Sequence, residues 1–257
     1  MTTLNLADKI KKSLPQIVLL SCGSFSPITN MHLRIFEEAY NHLKDKFEIL
    51  RGIISPVHDD YGKSSLKLVT ADDRWAMCTI SIADNEWLLV DDWEIKNNTW
   101  KPTIDVLNYY HGEYNYDDFG PVEIFLLCGS DLVESMSKTK NDSKNFFEIS
   151  GSKNGQSDSK DQNESKNSKE EWTLKEITNI FEKFSLAVME RQGSNLQDII
   201  DNSILKSYKS KIHIIPQNIE NNISSTKVRE LIKNNLSVKY LIPDSVIQYI
   251  DEHNLYK

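Results

Sequence analysis

The strand-turn-helix pattern that opens at Gln16 constrains the fold more than any other part of the chain. Gln16-Ile17-Val18-Leu19-Leu20 carries an unbroken apolar run with β-branched members, as a buried parallel strand does. Cys22-Gly23-Ser24-Phe25-Ser26-Pro27-Ile28-Thr29-Asn30-Met31-His32 follows as a turn, and beyond it Leu33, Phe36, Tyr40 and Leu43 recur at helical spacing. In an open α/β sheet, ligands bind past the carboxyl ends of the strands, where a helix N-terminus offers unpaired N–H groups. The turn is therefore a candidate phosphate site. Gly23 would let the backbone approach a ligand, Pro27 would stiffen the loop, and His32 would project toward the same space. A dinucleotide fingerprint needs three glycines here and only Gly23 is present, which disfavours hydride transfer on a bound cofactor.

Strand and helix patterns alternate along the rest of the chain. Strands are predicted at Phe47 to Ser55, Glu86 to Asp91, Val122 to Cys128, Phe184 to Glu190 and Lys211 to Ile215. Helices are predicted from Thr70 to Ala83, Thr103 to Tyr110, after Trp172 to about Lys183, Leu196 to about Ser207, Ser224 to Asn234 and Asp244 to about His253. Trp93 and Trp100 fall in a predicted loop. This alternation specifies an α/β fold, a Rossmann-like doubly wound parallel sheet with C-terminal helices. From Ser137 to Glu171 the composition shifts to Lys, Asn, Asp, Ser and Gly, with too few large apolar residues to offset the entropy of ordering. The chain thus reads as one domain over 1–257 with a disordered insertion at 137–171.

A net charge of -8 argues against wrapping nucleic acid, while leaving room for a local basic pocket that takes a small polyanion. Cys22, Cys78 and Cys128 form neither a CxxC pair nor a metal-ligand spacing, and read as buried thiols in a reducing compartment. The first residues lack a signal-peptide core and no run reaches bilayer length, so a soluble intracellular protein is expected, in cytoplasm or nucleus. Oligomeric state stays open, a homo-oligomer included.

Near the other end, Ile223-Ser224-Ser225-Thr226-Lys227-Val228-Arg229 puts hydroxyls, free N–H groups and two cations at one helix start. Alone, it is as well explained by an ordinary capped helix with solvated basic residues, just as a lone His32 is usually a capping residue. Together the two segments resemble the paired signatures of the nucleotidyltransferase superfamily, in the wording of the eukaryotic nicotinamide mononucleotide adenylyltransferases. Gly52-Ile53-Ile54-Ser55-Pro56-Val57, Leu127-Cys128-Gly129-Ser130-Asp131-Leu132, Tyr240-Leu241-Ile242-Pro243-Asp244 and Glu252-His253-Asn254-Leu255-Tyr256 agree in order.

The resemblance implies transfer of the AMP part of ATP to nicotinamide mononucleotide, giving NAD and pyrophosphate, with Mg²⁺ bound through the ATP phosphates. By position, Gly23, Ser24, Phe25, His32, Lys63, Ser225, Thr226 and Arg229 would serve the triphosphate and the reacting phosphate, with His32, Arg229 and Lys63 as the catalytic set. Gly129 and Asp131 match adenosine-side contacts. Trp100 and Trp172 match the aromatic pair around the nicotinamide ring, Thr103 the residue near its amide, and Arg191 a mononucleotide contact. The family often carries a run of lysines where this chain has Tyr61-Gly62-Lys63-Ser64-Ser65, so that position rests on Lys63 alone. A mononucleotide phosphate is already an anionic nucleophile, so direct in-line attack needs alignment and charge stabilisation, not a general base. Other readings keep the fold and change the acceptor, to nicotinic acid mononucleotide, phosphopantetheine or a choline phosphate, or make the chain a nucleotide-binding, chaperone-like protein.

Overall fold

The computed structural model describes residues 14–61, 68–116, 120–139, 172–191, 193–219 and 221–257. Strand β1 (Gln16–Gly23) leads into helix α1 (Asn30–Leu43), and β2 (Glu48–Pro56), α2 (Ala71–Ser81) and β3 (Leu88–Val90) continue to one edge of the sheet. The chain then passes through α3 (Trp93–Lys96) and α4 (Thr103–Tyr114) and crosses back to β4 (Val122–Gly129). From there α5 (Ser130–Ser137), α6 (Leu174–Lys183), β5 (Ser185–Glu190), α7 (Leu196–Asp201), a 3-10 segment (Ile204–Lys211) and β6 (Ile212–Pro216) build the other half. Helices α8 (Ser225–Lys233) and α9 (Asp244–Glu252) close the chain.

All pairings are parallel and the strand order is β3-β2-β1-β4-β5-β6. Successive units therefore run outward from β1 on one side and from β4 on the other, and a crevice opens between the carboxyl ends of these two strands. The period-2 alternation of β1 divides its apolar run between the two faces. Ile17 and Leu19 join Phe36, Met77, Val228 and Val246, from α1, α2, α8 and α9. Val18 and Leu20 join Leu107, Val133, Phe181 and Ile200, from α4 to α7. Burial on both faces explains why the strand reads as a continuous apolar run.

The fold class matches the sequence expectation, with local differences. The predicted helix from Leu196 to Ser207 breaks because Ser203 turns extended and its hydroxyl accepts the Leu205 N–H, which starts the 3-10 segment. The predicted loop bearing Trp93 contains α3, begun where the Asp91 carboxylate accepts the Trp93 N–H at 2.7 Å. Helix α5 was not foreseen, being short and abutting β4 without a connecting loop. Of the predicted insertion, Ser137 ends α5 and 138–139 follow it, while 140–171 lie outside the described residues. No helix among the described residues is long and apolar enough to cross a membrane.

Candidate functional site

Gly23 ends β1 at the crevice, and a Cβ there would lie 3.1 Å from Cζ of Phe25, whose ring folds back beneath it. Phe25 achieves this in the left-handed region, at φ 42, and is buried. The carbonyls of the loop that follows are held by donors from four directions. Gly23 O accepts from the Val57 amide at 3.0 Å and Ser24 O from Arg74 Nη1 at 3.1 Å. Ser26 O accepts from Arg229 Nη1 at 2.6 Å and Pro27 O from Ser225 Oγ at 2.8 Å. In a trans peptide the N–H points opposite its carbonyl. Tethering the Gly23 and Ser24 carbonyls therefore turns the Ser24 and Phe25 amides the other way.

His32 sits in the first turn of α1. The Thr29 amide donates to its Nδ1 at 3.0 Å, while Thr29 Oγ1 accepts the His32 amide at 3.4 Å, a reciprocal cap. An Nδ1 that accepts an N–H carries no proton, so the ring's proton is on Nε2. Burial of the ring, and secondarily the charge of Arg191, push its pKa down to about 4. His32 is thus a neutral donor at physiological pH, and its edge meets Phe25 at 5.2 Å. Capping uses Nδ1 and leaves Nε2 without a partner among the described residues, so the two sequence readings of this histidine do not compete.

Helix α8 begins where Ser224 Oγ accepts the Lys227 amide at 3.3 Å. Through Ser225 and Arg229 it docks on the loop after β1, which brings together the two sequence signatures. Arg229 Nη2 also donates to Thr226 Oγ1 at 3.2 Å, and Thr226 is exposed. Across the crevice Gly129 precedes α5, and a Cβ there would come within 2.5 Å of Asp131 Oδ1. Asp131 lies 3.9 Å from Arg191, both largely exposed. Arg191, predicted on the mononucleotide side, is therefore beside the predicted adenosine-side carboxylate.

The remaining residues are less tightly gathered. Trp100 is half-buried with its ring 6.0 Å from Tyr61, and Thr103 is the first residue of α4. Trp172 packs on the core beside α5 and α6, and its carbonyl accepts Thr139 Oγ1 at 2.8 Å. No ring contact joins Trp100 and Trp172 among the described residues. Lys63 lies outside the described residues.

Sequence reasoning missed three side chains behind the loop. Arg74 is fully buried, and Tyr256 reaches from the end of the chain to place its hydroxyl 2.9 Å from Ser26 Oγ. Glu94 is buried and accepts Ser55 Oγ at 2.6 Å, and burial pushes its pKa up to about 7. Arg74 had left a signal: with Ala71, Met77 and Cys78 it falls on the buried stripe of α2. Contacts as distant in sequence as Ser26 with Tyr256 leave none. Among the described residues no group of three or more His, Cys, Asp or Glu side chains could hold a metal ion.

The family model described as cytidylyltransferase-like matches residues 20–231. A nicotinamide-nucleotide adenylyltransferase of Drosophila melanogaster is 33% identical, over 97% of this chain and 63% of its own length, so this chain spans less than two thirds of that relative. The nicotinamide/nicotinic acid mononucleotide adenylyltransferase 1 of Bos taurus is 33% identical, over 94% of this chain and 89% of its own. Among solved structures, a Plasmodium falciparum nicotinic acid mononucleotide adenylyltransferase complexed with NaAD superposes with a TM-score of 0.62 at 17% identity, covering 94% of this chain and 97% of that one. At that identity it speaks for the fold alone.

Proposed function

The chain belongs to the cytidylyltransferase-like family and, within it, to the nicotinamide/nicotinic acid mononucleotide adenylyltransferases, and from that premise we propose that it joins ATP and nicotinamide mononucleotide into NAD and pyrophosphate. The observation that carries the reading is the docking of Ser225 and Arg229 on the loop after β1, beside a neutral His32, at the crevice of the sheet. An oxygen of the mononucleotide phosphate attacks the α-phosphorus of ATP. The new O–P bond forms in line with the breaking bond to the bridging oxygen, and pyrophosphate leaves with that oxygen and the electron pair.

The nucleophile is already an anion, so no proton has to be removed. The residues align two polyanions and stabilise charge as it moves toward pyrophosphate. His32 donates from Nε2 to a phosphate oxygen and stays neutral. The Ser24 and Phe25 amides, Ser225, Thr226 and the charge of Arg229 receive the phosphates, and Gly23 lets the backbone come close. Lys63 is assigned to the same task. Gly129 and Asp131 serve the adenosine, while Trp100, Thr103 and Trp172 serve the pyridine ring. Arg191, next to Asp131 and close enough to influence His32, fits the mononucleotide phosphate. The chain is taken to work as one nucleotidyltransferase domain.

The described residues gather no group of three or more His, Cys, Asp or Glu side chains that could hold a metal ion by themselves, so Mg²⁺ would be held mainly through the ATP phosphate oxygens. When bound it makes pyrophosphate a better leaving group.

Purified full-length chain incubated with ATP, Mg²⁺ and either nicotinamide or nicotinic acid mononucleotide, followed by chromatography, tests the reading. NAD or its nicotinic acid counterpart is expected with equimolar pyrophosphate, and the ratio of the two rates sets the acceptor preference. No dinucleotide from either acceptor would overturn it.

A further inference from the structure

We propose that Arg74, which lies outside both signature segments, is a positioning residue for phosphate binding: its guanidinium holds the Ser24 carbonyl back and so aims the Phe25 amide at the ligand. The inference rests on the nucleotide-site reading of the loop after β1. Arg74 is completely buried, and its donors reach three separate backbone segments. Nη1 donates to Ser24 O at 3.1 Å, Nη2 to Val57 O at 2.7 Å and Nε to Val69 O at 3.2 Å. One rigid fork thus ties the exits of β1 and β2 to the start of α2. A lysine offers one point charge and cannot span three carbonyls in different directions.

The charge is placed as well as the hydrogen bonds. Among the described residues the carboxylate partner of Arg74 is Asp59, 3.0 Å away and 53% exposed, so the compensating negative charge faces water while the positive charge lies beneath the loop. Its field reaches the Glu94 carboxyl, which accepts Ser55 Oγ at the end of β2, and the Tyr256 hydroxyl, which stands against the loop at Ser26. Removing the guanidinium would leave buried carbonyls without donors, and the Ser24–Phe25 peptide would be free to rotate. An amide that must first be turned toward an anion binds it less well than one already fixed.

The test uses the full-length chain and two probes, ATP and pyrophosphate, titrated calorimetrically below the melting temperature of each variant. Arg74→Lys is expected to bind both about tenfold more weakly, the scale of one lost charged hydrogen bond. Arg74→Ala should be weaker still and regain affinity with millimolar guanidinium. Asp59→Asn, which alters an exposed carboxylate and keeps the carbonyl contacts, should stay within about twofold of the native chain. Arg74→Lys that melts earlier but binds both probes normally would reduce Arg74 to a stabilising residue and overturn the proposal. Weaker ATP binding with unchanged pyrophosphate binding would overturn it by moving the effect to the adenosine. A loss of about tenfold or more in Asp59→Asn, measured against the native chain, would overturn it too, by routing the effect through Asp59 instead of Ser24; since Asp59 is an exposed side chain, this arm stands even where Arg74 variants fail to fold. Pyrophosphate binding requires no acceptor, so a chain that makes no dinucleotide would refute the reaction without deciding the role of Arg74.

Discussion

The two ends of the proposed site are built differently. At the phosphate end, the loop after β1 is held by Arg74, Arg229 and Ser225 through its carbonyls and by Tyr256 through Ser26. At the end assigned to the pyridine ring, Trp100 and Trp172 are only half-buried, on loops that enter α4 and α6, and no ring contact joins them among the described residues. Charge stabilisation needs donors fixed before the reaction begins, because reorienting them during the reaction would take back much of the gain. Ring stacking needs only apolar area and tolerates adjustment. The contrast predicts that damage at the phosphate end appears in kcat and in the binding of ATP and pyrophosphate, and damage at the pyridine end in the mononucleotide KM.

The largest expected effect comes from His32→Ala, which should lower kcat by about 10²–10³, the usual scale for one transition-state donor. Loss of the Nδ1 contact to the Thr29 amide should also cost about 1 kcal/mol of stability. Steady-state kinetics with both substrates, alongside urea unfolding, separate the two consequences. Turnover near the native value would remove His32 from the phosphate end and erase the contrast.

Next in size is a pH effect from Glu94, which is buried and bonded to Ser55 at the end of β2. Its carboxyl titrates near 7 when folded and near 4.5 when free, so the unfolded chain ionises first as the pH rises. Below about 4.5 both states hold the proton. Between 4.5 and 7 only the folded state does, and stability falls by on the order of 3 kcal/mol across that window. His32 acts in the opposite sense between about 4 and 6.5, where the unfolded chain binds the proton more readily. Comparing the native chain with Glu94→Gln isolates the first contribution. Urea unfolding at several pH values should show the native curve falling relative to that of the variant, and parallel curves would mean that Glu94 is ionised in its pocket.

The same contrast explains what could be read from the sequence. The β1-turn-α1 unit and the start of α8 are local patterns, each containing its own apolar period and cap, so both could be recognised before any contact was known. Their meeting followed from strand order, since α8 packs on the face of β1 that α1 and α2 also cover. The braces could not be recognised in this way. Glu94 with Ser55 and Tyr256 with Ser26 pair residues 39 and 230 positions apart, and no spacing rule links them. Arg74 was legible in part, as the charged residue on the buried stripe of α2, but the partners that tie it to the loop are carbonyls, which sequence does not distinguish. At the pyridine end, Trp100, Thr103 and Trp172 stood out only through family spacing, because an aromatic residue on a half-exposed loop has no pattern of its own.

The smallest expected effect concerns the two tryptophans. Trp100→Ala should raise the mononucleotide KM about tenfold, as loss of one aromatic stack does, with kcat and the ATP KM close to native. Trp172 packs against the core next to α5 and α6, so Trp172→Ala should combine a smaller KM change with a lower melting temperature. Kinetics varied in each substrate, with thermal melts of both variants, decide the matter. Equal KM changes without a stability difference would make the tryptophans equivalent partners of the ring, despite their different packing. A change in the ATP KM from either would show that the two ends of the site are not separable, and that bracing at the phosphate end extends to the aromatic side.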